Sequence, residues 1–176
     1  GMDLETNASN MIVADNVLFD ITIPVVSMTR PIDSEILNTV DISFMNSENL
    51  HRGDFIFTRG SGTSDSGSPH NIALLDEGLQ EGMHTDWMLA LEGNLVDGTR
   101  YVITFDGNDR AGNKAKFTPI NNVLYDINPP IVIVKYPIVE GFFNAPKFTY
   151  STNEQLKEAT ITLQHIGGPS DPNSPH

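Results

Sequence analysis

The 176-residue chain carries 23 Asp and Glu against 10 Lys and Arg, a formal net charge of −13, with 39% hydrophobic residues and no cysteine. That balance argues against nucleic acid as a partner, because phosphate binding needs clustered Lys and Arg. It suits hard cations, which take carboxylate and carbonyl oxygens. The missing cysteines exclude disulfides, thiolate metal ligands and thiol nucleophiles, and no apolar run is long enough for a membrane-spanning helix.

In chain order, Gly1-Met2 reads as a remnant ahead of an excised fragment, and residues 1–10 are polar. Met11–Asp20 reads as the last strand of a preceding unit, and Ile21–Pro24 as a stiff junction. Short strands are then expected at Val25–Met28 (A), Val40–Phe44 (B, with Val40, Ile42 and Phe44 inward), Asp54–Thr58 (C, with Phe55 and Phe57 inward) and Asn71–Leu75 (D). Asp76–Gly82 reads as one helical turn, and Thr85–Leu91 as strand E with Trp87 in the core. Arg100–Phe105 (F) alternates Tyr101, Ile103 and Phe105 against Val102 and Thr104, and follows the Asp97-Gly98 turn signal. Lys114–Tyr125 (G) carries a break at Pro119. Seven short strands at this spacing imply an all-β chain and a β-sandwich.

The chain also repeats itself. Residues 15–70 and 121–176 align without a gap at a constant offset of 106, with about a third of positions identical. Asn16-Val-Leu18 recurs as Asn122-Val-Leu124, Pro31-Ile32 as Pro137-Ile138, and Ser68-Pro-His70 as Ser174-Pro-His176. A period near 106 is too long for a solenoid and matches one small sandwich domain. The division that follows has three parts: 1–20, a disordered start and the last strand of a preceding repeat; 21–126, one complete sandwich; and 127–176, the N-terminal half of a second repeat. The incomplete copy is expected to have open edges and to be marginal alone, or to exchange strands with another copy of the chain, residues 11–20 being one donor.

The complete unit resembles the immunoglobulin-like tandem repeats of large bacterial surface and secreted proteins. The residues carrying the resemblance are Ser47-Glu-Asn-Leu50, Asp65 with Ser68-Pro-His70, Leu95-Val-Asp-Gly98, Tyr101-x-Ile-x-Phe-Asp-Gly107 and Asp109-x-Ala-Gly-Asn113. The resemblance implies an immunoglobulin-like sandwich, an extracellular or cell-surface location, an extender or adhesion role beside neighbouring repeats of the same chain, and no catalytic residues. In that fold a Tyr at the start of strand F bonds through its hydroxyl to backbone upstream, a tyrosine corner, and Tyr101 stands where such a residue would.

Sandwich topology also gathers acids. The F–G loop, the B–C loop and the entering linker lie at one end, so Asp20, Glu48, Asp106, Asp109 and the side chain of Asn113 are expected to converge at the junction between repeats. Carboxylates brought together repel unless a cation sits among them, and Ca²⁺ takes six to eight such oxygens. The loop is not an EF-hand: Arg110 and Phe117 stand where acids are wanted. The second copy keeps Asp126 and Glu154 without an F–G loop, so no complete site is expected there. The histidines lack zinc spacing, and no nucleophile elbow or phosphate loop is present. The alternative weighed, a carbohydrate- or ligand-binding accessory module, needs an exposed aromatic row that the sequence does not supply.

Overall fold

The computed structural model describes residues 15–88, 95–138, 141, 145 and 147–176. Among these there are eleven strands, one 3-10 turn and no α-helix. The chain divides into a larger unit, 1–127, and a smaller one, 128–176.

The larger unit is built from two sheets. One has the order β6-β3-β1-β8, formed by β1 (Val25–Arg30), β3 (Asp41–Asn46), β6 (Gly82–Met88) and the short β8 (Lys116–Phe117). The other has the order β2-β9-β7-β4-β5, formed by β2 (Ile36–Leu37), β4 (Arg52–Gly62), β5 (His70–Ala73), β7 (Thr99–Asn108) and β9 (Ile120–Tyr125). Pairings are antiparallel except at two places: β1 runs parallel to β8, and β2 runs parallel to β9. The first stretch of chain thus contributes to both sheets, and so does the last.

Period-2 alternation supplies the core. Val26, Ile42 and Phe44 from the four-stranded sheet meet Leu37, Phe55, Phe57, Tyr101, Ile103, Val123 and Tyr125 from the five-stranded one, all buried. Phe44 meets Phe55 edge-on across the two sheets at a centroid distance of 5.1 Å, and Phe55 packs on its cross-strand partner Phe105 within the five-stranded sheet at 4.9 Å. Each such side chain contributes about 1.5–3 kcal/mol by leaving water. The inward residues of strands B, C and F are those that the alternation indicated.

The expected strand D is present as β5, paired with β4 at the edge of the five-stranded sheet. Several other elements differ from expectation. The two-residue strand β2 carries too little pattern to be read from sequence. Trp87 is half-buried at the rim of the core, 6.4 Å from Phe44, while His84, which the sequence gave no reason to place there, stacks on Phe44 at 4.6 Å. Both face inward although they stand three positions apart, since β6 has a bulge: Ile42 and Phe44 pair with Trp87 and His84, and Asp86 between them has φ of 49°. Residues 89–91 of the expected strand E lie outside the described residues, as do 11–14. Over 15–20 there is no strand, and Val17, Leu18 and Phe19 are 77–86% exposed. Their sequence counterparts Val123 and Tyr125 are buried because β7 and β2 flank β9; residues 15–20 have no such neighbours.

The smaller unit holds one antiparallel pair, β10 (Val132–Tyr136) with β11 (Thr149–Thr152). Its register matches that of β1 with β3 residue by residue at an offset of 106, including the position of the bulge. The amide of Val25 donates to Ser47 Oγ at 2.8 Å, and that of Ile131 to Asn153 Oδ1 at 2.7 Å. His70 with Asp65 and His176 with Asp171 each meet at 2.7 Å. The apolar face of this pair, with Val132, Val134 and Tyr150, is exposed, unlike the buried face around Val26 and Phe44.

Candidate metal centre and tyrosine corner

Chain entry, the β3–β4 loop and the β7–β8 loop meet at one end of the larger unit. Asp20, Glu48 and Asp109 come from these three segments, and one carboxylate oxygen from each lies within 4.8 Å of the others. They line one side of an open cleft of about 630 Å³, whose rim also carries Asp76 and Glu81.

Local sequence builds each wall. Asp109 follows the last residue of β7, and a bridge between Asn108 and Lys114 closes the loop behind it. Gly112, with φ of +94°, makes the reversal that a side chain would strain. The buried Asp109 carboxylate then caps its own loop: it accepts the Asn113 backbone N–H at 2.8 Å and Asn113 Nδ2 at 2.7 Å. Nδ2 of Asn113 also donates to the backbone carbonyl of Asp20 at 3.2 Å, which fastens the entering chain to the loop. Four residues later the chain is anchored again, where buried Pro24 accepts the Lys116 N–H at 2.8 Å. Glu48 reaches in from the loop after β3; its Oε1 is fully occluded and has no hydrogen-bond partner among the described residues.

The electrostatics set the acids apart. Burial raises the Glu48 carboxyl above its ordinary value, and the nearby charges of Asp20, Asp109 and Glu81 add to that. Burial also pushes Asp109 upward, but hydrogen bonds from the Asn113 side chain and from the backbone of Asn113, Gly112 and Ala111 outweigh it, so Asp109 stays below its ordinary value. An ionised Asp109 and an occluded Glu48 oxygen held together form an acceptor-only set, the chemistry that suits a hard cation.

Asp106 does not join this cluster. It lies on the outer face of β7, opposite Asp54 of β4, and its carboxylate pairs with Arg52 at 2.8 Å. That contact outweighs the small upward push of burial and holds the Asp106 carboxyl below its ordinary value. Parity explains the placement: Phe105 faces the core, so Asp106 faces out. Asn113 does join, but with its amide nitrogen toward Asp109 and Asp20.

At the opposite end of β7, Tyr101 is buried and its hydroxyl is doubly engaged. It accepts the Val96 N–H at 2.9 Å and donates to Asp65 Oδ2 at 2.7 Å. Asp65 also accepts from His70 Nε2 at 2.7 Å and from the Gly67 N–H at 3.0 Å. The Asp65 carboxylate thereby ties the β4–β5 connection to the core strand, and the Tyr101 hydroxyl ties that strand to the turn before β7. Burial, followed by the Asp65 charge, pushes the Tyr101 phenol up to about 12, so it remains a donor at neutral pH. Asp65 had a visible signal in the sequence, since Asp and His recur together at the offset of 106.

No protein-family model, curated protein or solved structure matches the chain. An all-β architecture of two stacked sheets and an acidic triad able to hold a metal are what the geometry establishes.

Proposed function

We propose that the protein is a non-catalytic, immunoglobulin-like tandem module, an extender or adhesion element of a large extracellular or cell-surface protein, whose junctions are stiffened by Ca²⁺. The observation that carries the reading is the convergence of Asp20, Glu48 and Asp109, with an orphaned Glu48 oxygen, where the chain enters the larger unit. An ion there bonds the incoming segment to two loops of the domain and fixes the direction of entry. Three features support the immunoglobulin-like and repeat parts of the reading. The first two strands, β1 and β2, fall in different sheets, Tyr101 bonds to upstream backbone, and the pairing of β10 with β11 follows that of β1 with β3 at an offset of 106. Neighbouring repeats of the same chain are the natural partners of such a module.

Thermal unfolding in excess chelator, in about 10 mM Ca²⁺ and in Mg²⁺ tests the cation. A site with Kd of ~10⁻⁴ M confined to the folded state stabilises it by about 2.7 kcal/mol at one hundred times Kd, several degrees of melting temperature. The rise should be specific to Ca²⁺ and absent in Asp109→Ala. Identical curves in all three buffers would remove the ion from the proposal.

A further inference from the structure

We infer that the open groove of the smaller unit binds residues 15–20 of a second copy of the chain, with Val17 and Phe19 seated in it. The inference rests on the repeat part of the reading above and not on the ion. The groove, about 340 Å³, lies between the apolar face of the β10–β11 pair and the segment that follows it. Its walls are an opened core. Val132, Tyr150, Leu156, Ile161 and Leu163 line it, and their counterparts at the offset of 106 are Val26, Phe44, Leu50, Phe55 and Phe57, all buried in the larger unit. In the smaller unit Val132, Tyr150, Ile161 and Leu163 are 37–50% exposed.

The larger unit shows what such walls accept. Val123 and Tyr125 of β9 complete its core, and their counterparts are Val17 and Phe19, 77% and 86% exposed. The two segments also share a local backbone: Asn16 has φ of 57° and Asn122 φ of 61°. Residues 15–19 form no strand, and neither do residues 159–162, so each has a backbone edge to offer the other. Charge permits the encounter, because residues 128–176 hold three lysines against four acids in a chain whose net charge is −13. By parity Leu18, like the half-buried Leu124, points away from the groove. The contact is head-to-tail, so it closes as a reciprocal pair or continues from copy to copy.

Sedimentation velocity across a dilution series of the whole chain tests this, with hydrogen exchange followed at the same concentrations. The mass should rise above the monomer's 19.3 kDa, and the amides of 16–20 and 159–163 should gain protection in step with it. Phe19→Asp should raise the dissociation constant about 100-fold, since it removes a buried ring and puts a charge in the groove. Leu18→Asp should change it by less than about threefold. Both positions are exposed in the larger unit, so neither variant threatens its fold. Phe19→Asp mixed with Ile161→Asp should form heterodimers, one intact strand meeting one intact groove, although neither associates alone. A chain that stays monomeric at every concentration overturns the inference, as does protection of 15–20 that ignores concentration, which would seat the strand within its own chain. Equal losses from Leu18→Asp and Phe19→Asp also overturn it, pointing instead to two apolar faces stacked on each other. None of these results touches the calcium response, which the melting temperature measures separately.

Discussion

Removal of one oxygen atom, in Tyr101→Phe, tests how much the corner contributes to the fold. The ring is fully buried against Phe57, at a centroid distance of 6.3 Å, and the substitution keeps it, so no large cavity opens. Two hydrogen bonds are lost. The one donated to Asp65 engages a charge and is worth about 1.5–3 kcal/mol, and the Val96 N–H, now without its acceptor, adds about 1 kcal/mol more. The sum, about 2.5–4 kcal/mol, is a large fraction of what a domain of this size has to spare. At roughly 4 °C per kcal/mol it lowers the melting temperature by about 10–16 °C. Urea unfolding followed by Trp87 fluorescence gives the free energy directly. Asp65→Asn and the double variant close a cycle, which should show a coupling of at least ~1 kcal/mol between the two sites. Acid provides a second reading. Asp65 is buried, which raises its pKa, but the bonds from Tyr101, His70 and Gly67 bring it below its ordinary 3.8. A depressed carboxyl stabilises the fold above the unfolded value and loses that contribution as pH falls through the folded one. The gap between wild type and Tyr101→Phe should therefore be full at neutral pH and narrow below about pH 4. A loss under ~0.5 kcal/mol, or strictly additive single variants, would refute the account.

Two further outcomes bear on the site and the frame. Asp106→Asn should leave the calcium-induced rise in melting temperature unchanged and cost under ~1 kcal/mol, since its partner Arg52 is half-exposed on the outer sheet face; loss of the rise would return Asp106 to the cation centre. Gly62→Ala should destabilise by several kcal/mol, because φ there is +78° and the added carbon would stand 2.3 Å from the Gly98 carbonyl oxygen, a backbone atom that cannot step aside. Chemical denaturation measures it, and a change below ~1 kcal/mol would show that the β4–β7 end relaxes freely.

What could be read from sequence was what depends on period. Phe44, Phe55, Phe57, Tyr101 and Ile103 alternate with polar or smaller neighbours, and all are buried. Alternation also held the answer for Asp106, one step past the inward Phe105, but grouping by loop rather than by face put it with Asp109. The bulge at Asp86 was beyond reach, because it is a response to the pairing of β6 with β3 and leaves no mark on period. The same limit applies to residues 15–20: Val17, Leu18 and Phe19 have strand-like composition, and a strand exists only where another strand completes its hydrogen bonds.

The two parallel pairings have a mechanical consequence. In the larger unit the chain enters at β1 beside β8 and leaves after β9 beside β2, with each pair pointing the same way. When the entering and leaving ends are drawn apart, the paired strands are pulled in opposite senses along their length. Their hydrogen bonds are then loaded together in shear, whereas an antiparallel hairpin pulled from its open end would unzip one bond at a time. The bonds of Lys116 to Pro24, Leu124 to Glu35 and Asp126 to Leu37 would have to fail nearly at once. A domain threaded in this way withstands tension along the chain better than its modest core suggests.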